Sequence, residues 1–86
     1  MDTDSKKHTT AARMRSAQRG TVVQIMGGRG LVLRLEAMGI RPGKKLTKVS
    51  SMFGHGPVTI SVDRMQIALG FGMADKIIVE LDETKG

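Results

Sequence analysis

The chain has 86 residues, no cysteine, and 14 Lys and Arg against 8 Asp and Glu, for a net charge of +6. A chain of this length holds one domain with a modest core. The missing cysteine excludes disulfide staples, thiolate metal sites, iron–sulfur clusters and thiol catalysis. No apolar run reaches the ~18–20 residues of a membrane helix, and the N-terminus lacks the apolar core of a secretory signal.

In chain order, the first segment is polar and basic. Lys6, Lys7, Arg13, Arg15 and Arg19 face only Asp2 and Asp4, which places half of the net charge in the first 19 residues. A segment so poor in apolar side chains buries too little surface to offset its ordering entropy. Residues 1–18 therefore read as a disordered basic arm. A solvated tail is its simplest role, and contact with nucleic acid or an anionic surface is the alternative.

The folded part reads as residues 19–82, with a polar tail over 83–86. Thr21 to Met26 is rich in β-branched residues between glycines, a strand signal. Gly27-Gly28-Arg29-Gly30 breaks it. Leu31, Leu35 and Met38 then mark one face of a short helix. Gly39 follows as a left-handed stop, with Ile40 folding back onto the helix. Pro42-Gly43 makes a tight turn. Lys45 to Met52 is a second strand in which Leu46 and Val49 have opposite parity, so either a bulge or two covered faces is expected. Phe53 to Pro57 is a loop. Val58, Ile60 and Val62 alternate cleanly, as do Met65, Ile67 and Leu69, and the short connection makes these two strands a hairpin. Gly70 to Asp75 reads as a turn or a single 3₁₀ turn. Ile77, Val79 and Leu81 alternate in the last strand.

Five short strands and one short helix after the first strand make a mainly β domain. Closure into a small barrel would remove edges and enclose one core. The expected core is Val23, Ile25, Leu31, Leu35, Met38, Ile40, Leu46, Val58, Ile60, Val62, Ile67, Leu69, Ile77 and Val79.

The order of these pieces carries a resemblance. Its strongest segment is Arg34-Leu35-Glu36-Ala37-Met38-Gly39-Ile40-Arg41-Pro42-Gly43, supported by Gly56-Pro57-Val58-Thr59-Ile60 and Gln66-Ile67-Ala68-Leu69. Over Gly20 to Leu81 the chain resembles the FeoA family, small cytoplasmic proteins with an SH3-like barrel that accompany the ferrous-iron transporter FeoB. The resemblance implies a five-stranded SH3-like barrel and a cytoplasmic, non-enzymatic accessory protein. It would dock on the cytosolic side of FeoB and support or regulate Fe(II) uptake, with iron carried by the transporter and no cofactor of its own. Three positions depart from the family pattern. Asp63-Arg64 stands at a hairpin turn that often carries glycine. Gly70 stands where a basic residue is common. Lys48 stands where an apolar residue would keep the alternation with Leu46.

Other motifs have plainer readings. Gly39 to Lys45 has the wrong spacing for a nucleotide-binding P-loop, lacks the following Ser or Thr, and is interrupted by Pro42. Gly28-Arg29-Gly30 lacks the third glycine of a dinucleotide fingerprint. His55 lies between two glycines, and a lone imidazole in an exposed loop is a weak metal ligand even if Asp63 or Asp75 joins it. No nucleophile or acid–base pair suggests catalysis. With no Trp or Tyr and two Phe, neither a proline-peptide groove nor base stacking has its usual aromatic platform.

The helix gives a sharper signal. Leu33 and Ala37 form a second apolar pair at i, i+4, roughly opposite the inward face. Either a loop covers them, or they are a partner-binding patch rimmed by Arg29, Arg34 and Arg41. Leu33, Arg34, Ala37 and Arg41 are the candidate contact residues, with Phe53 and Phe71 as further candidates. Unpaired strand edges leave room for a homodimer. The alternatives are a basic adaptor that holds nucleic acid electrostatically through the arm, Lys44, Lys45 and Lys48, with the missing aromatics arguing against base stacking, and a small metal-responsive sensor.

Overall fold

The computed structural model describes residues 7–51 and 56–82. One antiparallel sheet of six strands dominates it, in the order β1-β6-β2-β3-β4-β5. The strands are β1 (His8–Thr10), β2 (Arg19–Ile25), β3 (Lys45–Ser51), β4 (Val58–Val62), β5 (Met65–Leu69) and β6 (Ile77–Leu81). A 3₁₀ turn over Ala11–Arg13 follows β1, α1 spans Arg29–Ala37, and α2 is a single turn over Phe71–Ala74. All strands converge on one core that includes Leu35, Ile40, Val58, Ile60, Ile77 and Val79, none of them exposed.

The first strand corrects the expected disordered arm over its described part, residues 7–18, and with it the five-strand count, while residues 1–6 and the polar tail over 83–86 lie outside the described residues. His8, Thr9 and Thr10 pair with Glu80, Val79 and Ile78 of β6. The 3₁₀ turn then carries Ala11 and Ala12, and after it Met14, into the core. The composition argument fails because it weighs only the segment's apolar side chains, and these are not all that orders it. The segment is also held by backbone pairing and by a lysine from the opposite part of the sheet. A turn over 15–18 returns the chain to β2, with Ala17 at φ 74°. Backbone bonds between Ala17, Gln18 and Lys48 extend the β2–β3 ladder beyond the strand.

Two bulges shape the sheet. The β2–β6 register shifts between Val22 and Gln24. Val22 therefore enters the core while Val23, expected there, is 39% exposed. Ile25 regains the inward side only because the bulge resets parity. The β3–β4 register shifts between Lys48 and Ser50, the bulge that the mismatch of Leu46 and Val49 called for. Gly20 sits where β2 presses on β6. A Cβ there would lie 2.7 Å from the Glu80 carbonyl oxygen, so only glycine permits this approach.

The helix stop forms as its sequence requires. Gly39 has φ 89°, and its N–H donates to the Glu36 carbonyl while the Ile40 N–H donates to that of Leu35. This is a Schellman cap, and its two apolar residues, Leu35 and Ile40, are both fully buried. The Arg41–Lys44 turn closes with Lys44 N–H donating to Arg41 C=O at 3.1 Å and Gly43 at φ 95°, a type II geometry that needs glycine at its third residue. The β4–β5 hairpin turns on Asp63 and Arg64, both with positive φ. They take a primed turn that Asn-Gly would enter at less cost.

Candidate functional site: the outer face of the first helix

The helix α1 starts after Gly28, whose extended backbone caps it without a side-chain bond. Its inner side is fixed by Leu35 in the core, with Leu31 and Met38 packed against it. Its outer side carries Arg29, Leu33 and Ala37 at i, i+4 and i+8, one row along the helix. All three are exposed, and Leu33 is 56% exposed. Arg34, beside Leu33, and Arg41, past the cap, are exposed as well. The four predicted contact residues thus lie on one helix and the turn that ends it. Among the described residues, no acidic side chain forms a salt bridge with Arg29, Arg34 or Arg41.

Exposed Val23 and Met26 lie just before this helix in sequence. The β2 alternation hid Val23 because the bulge is silent in the sequence. Phe71, a further candidate, is half-buried and packs against the core. Phe53 and His55 lie outside the described residues.

The lysines proposed for a nucleic-acid surface take three different directions. Lys44 Nζ pairs with Asp63 at 2.6 Å. Lys45 Nζ donates to both carboxylate oxygens of Asp82 at 2.9 and 3.0 Å. Lys48 is 1% exposed, which corrects its placement on a basic surface. Its ammonium donates to the carbonyl oxygens of Ala11, Ala12 and Met14 at 2.8, 3.1 and 2.7 Å. Three donors meet three acceptors, the full capacity of an ammonium group. Burial pushes the Lys48 pKa below its usual 10.5. The N-terminal segment is tied a second time at its rim, where Asp75 accepts from Thr10 Oγ1 at 2.7 Å and from Arg13 Nε at 3.2 Å. Among the described residues, no group of three or more His, Asp or Glu side chains is placed to share a metal ion.

A six-stranded antiparallel sheet around one core, with a capped helix on its flank, defines a small SH3-like β domain. The model of the FeoA domain matches residues 9–81. A protein of Methanocaldococcus jannaschii named Fe(2+) transport protein A is 43% identical over 65 residues, which cover 76% of this chain and 77% of that protein. The crystal structure of an iron uptake regulatory protein, FeoA, superposes with a TM-score of 0.79 at 32% identity, over 87% of this chain and 97% of that one. The Stenotrophomonas maltophilia FeoA, solved in complex with zinc and described as a procaryotic SH3 domain protein, superposes with a TM-score of 0.72 at 19% identity, over 83% and 88% of the two chains. This chain belongs to the FeoA domain family. The family match begins at residue 9, inside β1, so the strand missed in the sequence is part of the domain.

Proposed function

We propose that this chain is a cytoplasmic, non-enzymatic accessory protein of ferrous-iron transport that docks on the cytosolic side of a FeoB-type transporter through the outer face of α1. One observation carries the reading: Leu33 stands 56% exposed on a helix whose other side buries Leu35 and packs Leu31 against the core. An apolar side chain held out on a rigid element, beside three exposed arginines, suits a partner surface with an apolar pocket and an acidic rim. Family membership supports the transport assignment. The pairing of Lys44 and Lys45 and the burial of Lys48 weigh against the basic-adaptor reading.

The test is binding to detergent-solubilised FeoB from the same cell at physiological salt, with wild type beside Leu33→Arg. Saturable binding by wild type and at least tenfold weaker binding by an equally stable Leu33→Arg are expected. An unaltered affinity in the variant removes α1 as the docking face. Absence of wild-type binding removes the transporter reading.

A further inference from the structure

The two edges of the sheet are built differently. The β1 edge is three residues long, begins beside Lys7 and His8, and ends where the chain turns inward to the 3₁₀ turn. Short length, charge and a change of direction are the usual protections of an exposed edge. The β5 edge is longer, five residues, and its neighbouring charge and change of direction, Arg64 and the turn at Gly70, lie outside the strand. Met65-Gln66-Ile67-Ala68-Leu69 carries no charge and no proline, and its register with β4 runs without a bulge. Among the described residues, no strand pairs with its outer side.

The register fixes which groups that edge offers. A two-residue turn makes Val62 and Met65 a hydrogen-bonded pair, so Met65, Ile67 and Leu69 direct their backbone groups to β4. The N–H and C=O of Gln66 and Ala68 then point away from the sheet.

We infer that β5 is an interface for a second copy of this chain, with the two β5 strands paired antiparallel about a two-fold axis at Ile67. Placing Gln66 opposite Ala68 of the second copy uses every outward group and forms four backbone hydrogen bonds, because each of the two symmetric pairs exchanges two. The same register sets Ile67 against its own mate. It also sets Met65, 59% exposed, against buried Leu69, so apolar residues meet apolar residues. Arg64 falls opposite Gly70, where even a Cβ would find nothing within 4 Å, so the arginine has room and meets no like charge. A single patch that complements itself is the requirement for a closed two-fold dimer. The strand is five residues long and the net charge is +6, so the association is weak and tightens as salt screens the repulsion.

The experiment is sedimentation of the full chain from roughly 10 µM to 1 mM at two salt concentrations, a range that brackets weak self-association. Amide NMR over the same range reads the contact residue by residue. The expected result is a monomer–dimer equilibrium strengthened by salt, with concentration-dependent amide shifts centred on Gln66 and Ala68. Ala68→Lys should weaken dimerisation at least tenfold with an unchanged circular dichroism spectrum. Gln66→Lys, at the other exposed position, serves if Ala68→Lys does not fold. A chain that stays monomeric throughout overturns the proposal. So does a dimer whose shifted amides lie on β1 or α1, or one that a folded Lys variant leaves unaltered. Loss of FeoB binding by Leu33→Arg has no bearing on this result, because the two readings rest on different elements.

Discussion

Two regions of this molecule invert the usual rule of apolar inside and charged outside, and they do so with opposite consequences. In the first, the Lys48 ammonium lies in the core, 1% exposed, and the chain itself satisfies it with three carbonyl oxygens. In the second, Leu33 stands 56% exposed on the outer face of α1. The buried inversion closes on itself: a charge far from water is tolerated only when it is fully hydrogen-bonded, and here those bonds fasten the 3₁₀ turn and Met14 to β3. The exposed inversion is left open. A residue out of place and satisfied within the chain explains the fold, whereas one out of place and unsatisfied points to a partner.

The contrast can be broken most forcefully at Lys48. Lys48→Met keeps the volume but leaves three buried carbonyls without donors, and each costs about 1–3 kcal/mol if water cannot reach it. Part of this is recovered by local opening, so a loss of about 3–5 kcal/mol in chemical denaturation is expected, with amide exchange accelerating first over residues 8–14. Retention of wild-type stability would mean that the cage is not what holds the segment.

Second comes the rim tie. Asp75→Ala removes the acceptor of Thr10 and Arg13, and because these bonds are partly exposed the cost should be about 1 kcal/mol. A double variant with Lys48→Met should lose less than the sum, since both act on one segment.

The sign of the pH dependence sharpens the same side. Burial lowers the folded-state pKa of Lys48, while the unfolded chain titrates near 10.5. Between those two values the unfolded state binds more protons, so stability should rise with pH across that window and level off above 10.5. Denaturant midpoints measured upward from neutral pH should show this rise in wild type and lack it in Lys48→Met. Equal slopes in the two proteins would refute the assignment.

The smallest expected effect belongs to the other region. Leu33→Arg should alter folding stability by less than about 0.5 kcal/mol, the usual range for an exposed site, while weakening the proposed docking on FeoB at least tenfold. A large loss of stability would show that Leu33 is structural and would end the contrast.

What the sequence disclosed follows from where local signals suffice. The cap at Gly39, the hairpin of β4 and β5 and the last strand are written in residues close together, and all three form in the positions read for them. Helical spacing alone separates Leu33 and Ala37 from Leu31 and Leu35, but the sequence left open whether a loop covers the pair, and the structure exposes both. The misses are long-range. Val22 and Val23 exchange roles through a bulge set by the pairing with β6. The N-terminal segment looks like tail because its support is distant in sequence: β1 pairs with β6 at the far end of the chain, and Lys48 lies 34 to 37 positions from the carbonyls it binds. One signal did exist: a lysine at the inward parity of β3 must find acceptors, and Ala11-Ala12 with Met14 was the stretch small and apolar enough to bring them.

The Lys7 carbonyl accepts from the Leu81 N–H at 2.8 Å. The two ends of the described chain therefore meet at one spot, next to the pairing of β1 and β6. A module with this layout behaves like a bead on a single stalk: it can be spliced into or joined to another polypeptide at either end without stretching the host. Any such attachment would sit on the β1 side of the sheet, at the opposite edge from β5.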